Sequence, residues 1–174
     1  MVLSLRLAAW IAVFLAGHLP AAGQSLPLTG PPIALTPVPG EAWRETIRSD
    51  GYQTWVRLKA ADGTPMVFTL SCLQGRGTVF LQRDAQPQDT LRITMVVRAG
   101  GRQVLQEEAE LYAAGYTTRW VEPADFLAAM GAMRGQSEIE LDMQGGTRRT
   151  QFNLRLPDAH GFRRAAERCP AVMR

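Results

Sequence analysis

The chain has 174 residues, of which 46% are hydrophobic and 20% charged, and its 19 basic side chains nearly balance 16 acidic ones. This composition is typical of one packed globular domain and excludes a disordered chain, a collagen or a coiled coil. The small positive surplus gives no support to a nucleic-acid-binding protein.

The N-terminus has the pattern of a secretory signal peptide. A single positive charge precedes an apolar run of 11 residues from Leu7 to Gly17, and the small side chains of Ala21 to Gly23 fit a cleavage site. As a helix this run spans about 17 Å, too short for the roughly 30 Å of bilayer hydrocarbon. The sequence predicts a signal peptide at residues 1–23. The rest of the chain is expected to be exported, to have no membrane span, and to be periplasmic or secreted.

A proline-rich leader, residues 24–42, follows the signal peptide. With five prolines between positions 26 and 40, this stretch is expected to form neither a helix nor a central strand. We expect an extended leader, ordered only where it lies on the single domain formed by residues 43–174.

Alternation of apolar and polar residues predicts a series of strands after the leader. Inward-facing sets are Tyr52, Thr54, Val56 and Leu58; Met66, Phe68, Leu70 and Cys72; and Leu91, Ile93, Met95 and Val97. Thr78 to Gln82 and Tyr116 to Val121 are expected as further strands, and Gly100-Gly101 predicts a hairpin turn into a strand from Arg102 to Tyr112.

Two helices are predicted late in the chain. Pro123 to Met133 has proline at its first turn and an apolar face, and Asp158 can cap a second helix. The stripe of that second helix consists of Phe162, Ala165, Ala166 and Cys169. The fold class expected is therefore α+β, predominantly antiparallel β, either a sandwich or a sheet, with two short helices in the C-terminal third.

Between the helices the sequence predicts a β-hairpin. A two-residue loop at Gly145-Gly146 places Asp142 opposite Arg149 and Ile139 opposite Phe152, so the charged and the apolar patterns agree with one register.

Cys72 and Cys169 are the only cysteines, and in an exported chain an even count indicates a disulfide. The bond would close a loop of nearly the whole domain. A metal site lacks ligands, because His160 is the only histidine after the signal peptide. A Cys169 nucleophile would lie about 13 Å along the helix from His160, too far for that histidine to serve as its base.

The sequence gives no indication of catalysis. It contains no G-x-S-x-G elbow, phosphate loop, dinucleotide-binding glycine motif or H-E-x-x-H motif. The carboxylate pairs Glu107 with Glu108 and Glu138 with Glu140 could in principle serve acid/base hydrolysis, but residues spaced by two on a strand share one face, and that face is here the polar one. We therefore predict no enzyme, with no catalytic, cofactor-binding or metal-binding residue.

Trp55 and Arg57 are the candidate interaction residues. Trp55 lies on the otherwise polar face of its strand, where an exposed tryptophan can anchor a partner. The alternative is that the leader or a helix covers Trp55. Charge is also segregated, since residues 101–140 carry three Arg and seven acidic residues, whereas 141–174 carry seven Arg and three acidic residues. Such blocks pair across strands or form a docking surface.

The order of several elements resembles small exported proteins related to the type VI secretion-associated VasI family. The likeness extends over about residues 43 to 170 and rests on an early Trp43, the L-x-C element at Leu70 to Cys72, Phe126-Leu127 in a short helix, the F-x-L-x element at Phe152 to Arg155, and a final helix with Cys169. Relatives usually have glycine after the F-x-L-x element, where this chain has leucine.

The resemblance implies a Gram-negative periplasmic accessory protein with one disulfide and no catalytic residues. A second exported family, the invasion-associated locus B proteins, is similar in length and in a G-F-x-x-A element at Gly161 to Ala165, but carries more cysteines. The function expected is a non-enzymatic interaction protein that supports an envelope or secretion assembly. The alternative is a protein that binds a small ligand or a cell-wall fragment.

Overall fold

A computed structural model describes residues 28–83, 91–112, 115–118 and 120–173 of the chain. The predicted signal peptide lies outside these residues. The elements are β1 (Ile33–Pro37), β2 (Arg44–Arg48), β3 (Gly51–Ala60), β4 (Pro65–Leu73), β5 (Arg76–Arg83), β6 (Leu91–Ala99), β7 (Arg102–Tyr112), β8 (Gly115–Thr118), α1 (Pro123–Met133), β9 (Glu138–Gly145), β10 (Arg148–Arg155) and α2 (His160–Val172). The expected α+β class, mostly antiparallel with two late helices, is confirmed, and the strands form one sheet rather than two packed sheets.

The sheet is curled and closed by β1, which lies within the proline-rich leader. The strand order runs β1-β10-β9-β6-β7-β8-β5-β4-β3-β2, and β1 pairs both with β10, in parallel, and with β3, antiparallel. The expectation that this stretch cannot form a central strand is wrong. Pro31 and Pro32 precede the strand and Pro37 ends it, so the missing amide hydrogens fall at its ends.

β2 is the last strand in the order and occupies the part of the β3 edge that β1 leaves open. It pairs with Gly51–Trp55, whereas β1 pairs with Leu58–Ala60. This strand was not predicted from the sequence.

Both helices pack on the inner face of the sheet. The core contains the fully buried Phe68, Phe126 and Phe162. Trp43 packs edge-to-face on Phe68 and Phe162, with ring centroids 6.1 and 5.9 Å away, and its Nε1 donates to the carbonyl of Asp158 at 3.0 Å. Trp43 therefore joins the segment between β1 and β2 to the start of α2.

The predicted helices are confirmed, α1 with the expected bounds. In α2 the buried residues include Phe162, Ala165 and Cys169, as the stripe predicts, and Oδ1 of Asp158 accepts a hydrogen bond from the His160 amide at 2.5 Å. Gly161 is required at the α2 start, because a Cβ there would lie 2.5 Å from the Trp43 ring.

The β9–β10 hairpin forms, but with a different register. Asp142 lies opposite Gln151 and Ile139 opposite Leu154, so the predicted Asp142–Arg149 and Ile139–Phe152 pairs are wrong. The turn is one residue later than expected, since Gly145 pairs with Arg148 and Gly146 takes the positive φ of 56°. A one-residue shift of the turn moves each partner by two positions, which leaves the inward and outward faces unchanged.

Candidate functional site

The disulfide joins the end of β4 to α2 on the inner face. Cys72 and Cys169 have Cα atoms 5.6 Å apart, are 97 positions apart in sequence, and are both fully buried. Tyr52 lies opposite Cys72 in the sheet, and burial raises the pKa of Tyr52 to about 12. The predicted Cys72–Cys169 disulfide is thus confirmed, and it is part of the core.

Trp55 and Arg57 lie on the outer face of β3, which is opposite to the face that carries the helices. The guanidinium of Arg44, on β2, stacks over the Trp55 ring at 5.2 Å from its centroid. Arg44 is directly opposite Trp55 in the sheet. Trp55 is consequently half-buried beneath an arginine, and neither α1 nor α2 covers it.

A buried carboxylate holds both arginines in place. Glu41 accepts from Arg57 at 2.8 Å and forms an ion pair with Arg44 Nε at 3.2 Å, and its side chain is only 5% exposed. The Arg57 hydrogen bond, which outweighs the cost of burial, holds the pKa of Glu41 below its usual range. We call Glu41, Arg44, Trp55 and Arg57 the Trp55 surface.

The outer face next to the Trp55 surface is partly apolar. Thr69 of β4 lies between Trp55 and Phe80 across the strands and is buried although it faces outward. Trp55 and Phe80 are both half-buried. The two aromatic side chains thus flank a shielded threonine on a face whose other positions include arginine and glutamine.

His160 belongs to a second ionic cluster, between β2 and α2. Its Nε2 lies 3.1 Å from Oε1 of Glu45, and Arg164 donates to the same carboxylate at 2.9 Å. The Arg164 hydrogen bond, opposed by burial and aided by His160, lowers the pKa of Glu45. This contact of His160 was not predicted from the sequence.

A third cluster surrounds Asp142, which faces outward from β9 yet is fully buried. Arg149 donates to it through Nε and a terminal nitrogen, both at 2.8 Å, Arg98 donates at 3.0 Å, and Gln144 donates at 3.2 Å. Burial alone would raise the pKa of Asp142, but the hydrogen bonds from Arg149, Arg98 and Gln144 lower it. Arg149 was predicted directly opposite Asp142, whereas the two side chains meet diagonally across the strands, and the role of Arg98 was not predicted.

The two carboxylate pairs, Glu107 with Glu108 and Glu138 with Glu140, lie in different environments. Glu107 lies on the inner face of β7, between the buried Leu105 and Ala109. Burial, with the charges of Asp125, Glu122 and Glu108, raises the pKa of Glu107. The partial burial of Glu107 was not predicted from the sequence.

The second pair forms ordinary surface contacts. Glu138 forms an exposed ion pair with Arg155 at 2.9 Å, and Glu140 accepts from Gln151 at 3.3 Å. The Glu138–Arg155 pair is one place where the acidic and the basic sequence blocks meet across strands.

Within the described ranges, no three His, Cys, Asp or Glu side chains lie close enough together to hold a metal ion. No helix in the described part of the chain is long and apolar enough to cross a bilayer.

Comparison with family models, with curated proteins and with solved structures finds no match. The resemblance to the VasI family and to the invasion-associated locus B proteins therefore stays a prediction.

Proposed function

We propose that the protein is exported to the bacterial periplasm, where it acts as a non-catalytic accessory protein that binds a protein partner of an envelope or secretion assembly. The signal-peptide pattern of residues 1–23 and the buried disulfide support export, because disulfides persist in oxidising compartments. The partner docks on the Trp55 surface.

The observation that carries this proposal is the fixed arrangement of Trp55 between arginines. Tryptophan and arginine are the residues that most often dominate binding energy at interfaces. Glu41 holds Arg44 and Arg57 in place, so a partner would lose little side-chain freedom on docking there.

Affinity capture tests the proposal. The mature chain is used as bait in periplasmic extract of the producing bacterium after mild crosslinking, and recovered proteins are identified by mass spectrometry. We expect one envelope protein to be enriched, and Trp55→Ala to lower that enrichment by about tenfold, because a central tryptophan anchor is removed. The same fractions should contain the native protein with Gln24 as its first residue.

Trp120→Ala is the matched control. Trp120 is 50% exposed and also lies under an arginine, with the Arg76 guanidinium 5.3 Å from its ring centroid, but it lies just before α1. This variant should retain the partner. Equal loss with both variants, or no enrichment with the wild-type bait, would contradict the proposal.

A surface cleft favours the second candidate function, the binding of a small ligand or cell-wall fragment. The cleft has a volume of about 500 Å³ and lies where β1, β9 and β10 meet the β6–β7 hairpin. Its polar lining includes Arg98, Glu138, Glu140 and Asn153. Ligand-dependent protection of Glu140 and Asn153 amides, with soluble peptidoglycan fragments as the probe, would favour this function over protein binding.

A further inference from the structure

The free edge of β2 offers a site where an extended segment of a partner can be added to the sheet. β2 pairs with β3 along one edge, and in the described residues no strand pairs with its other edge. The rest of the sheet is closed through β1. An open strand edge presents amide and carbonyl groups that can pair with an added extended segment.

The side chains of β2 differ on its two faces. Arg44, Thr46 and Arg48 face outward, beside Trp55, whereas Glu45 and Ile47 face α2. Ile47 is 66% exposed, the most exposed large apolar side chain in the described part of the chain. An added strand would thus have one row of side chains beside arginines and the other beside Ile47.

The outward face is positively charged. Arg44 and Arg57 share Glu41 as their carboxylate partner on that face, and Arg48 lies on the same face. Counting Asp50 in the turn after β2 still leaves three cations against two anions. An acidic segment therefore complements the edge.

A second copy of this chain would pair poorly with the free edge of β2. An antiparallel β2–β2 pair centred on Thr46 would place Arg44 of one copy opposite Arg48 of the other, and like charges directly opposite destabilise a sheet.

We infer that β2 is the docking edge for an extended partner segment that alternates acidic and apolar residues and is added to the sheet as an antiparallel strand. Its acidic side chains lie beside Arg44 and Arg48, and an apolar side chain packs on Ile47. This inference rests on the proposed function and specifies the chemistry of the partner. It also explains why the edge adjoins Trp55.

The test uses the oxidised mature protein and a capped synthetic peptide of alternating Glu and Val, about seven residues long, enough to span β2. Binding is followed by the amide resonances of the labelled protein. We expect saturable shifts confined to β2 and its neighbours, which weaken as salt is raised. A peptide with Lys in place of Glu, and a Glu-Val peptide with alternate amides methylated, should not bind.

Arg48→Glu should weaken binding of the Glu-Val peptide by about tenfold, since it reverses one charge beside the acidic row. Because Arg48 is exposed, the amide spectrum of the Arg48→Glu variant should show an unchanged fold. Arg148→Glu, an equally exposed change on β10, is the control and should bind as the wild type does.

The inference would be overturned by an absence of binding, by equal binding of the Lys peptide, or by shifts away from β2. The arginines would then serve only to prevent unwanted strand pairing at this edge. If a partner is still captured through Trp55, the proposed function survives and this inference alone fails.

Discussion

Replacing Cys72 and Cys169 with alanine lowers the free energy of unfolding by about 2 to 5 kcal/mol. The bond closes a loop of 97 positions, and in the chain-entropy model cross-links that close long loops restrict the unfolded chain most. Both cysteines are fully buried, so the wild type should also resist reduction until it unfolds. Urea denaturation followed by circular dichroism measures the difference.

Reductant provides the control for this prediction. Wild-type protein unfolded and refolded in reductant, with both thiols verified by labelling, should match the Cys72→Ala/Cys169→Ala variant. The variant itself should be indifferent to reductant. Equal midpoints for oxidised and fully reduced wild type would refute a stabilising role for the bond.

Asp142→Asn is expected to cost about 3 kcal/mol at neutral pH, because it removes the buried charged carboxylate on which this ionic cluster is centred. Arg149 and Arg98 would lose their shared carboxylate, with side chains only 17% and 26% exposed. Chemical denaturation measures the loss. Glu138→Gln, in a pair whose side chains are 69% and 65% exposed, is the control and should change stability little.

The same cluster predicts a pH dependence. The folded pKa of Asp142 lies below its unfolded value of about 3.9, so its stabilisation is complete well above that pH and is lost as the pH falls through the folded pKa. The stability gap between wild type and Asp142→Asn should therefore close in acid, where the protonated carboxyl resembles the amide. A gap that is constant from pH 7 to about pH 3 would contradict this assignment.

Long strands and amphipathic helices could be predicted because their patterns are local. β3, β4, β6 and β7 alternate over nine or more residues, and α1 begins with Pro123. β1 could not be predicted, since it is a short strand among prolines that is held by β10 from the other end of the chain. The pairing of β1 depends on how the whole sheet curls, and no local sequence pattern encodes that curvature.

The Trp55 surface was predicted only in part for the same reason. Trp55 and Arg57 stand out as an aromatic and a charged residue on one strand face, but their partners Arg44 and Glu41 come from β2 and the segment before it. For Glu107 the sequence shows the neighbours but not the environment. Its position between Leu105 and Ala109 can be read from the sequence, whereas its burial depends on where α1 packs.

Photocrosslinking in living cells tests the central claim, that a partner docks beside Trp55, most directly. A photoreactive residue replaces Gln53, which is partly exposed on the same face of β3, or Gln103, which is exposed on β7. The account predicts one crosslinked envelope protein from position 53 that disappears when Trp55→Ala is added, and none from position 103. No adduct from position 53, or the same adduct from both positions, would contradict it.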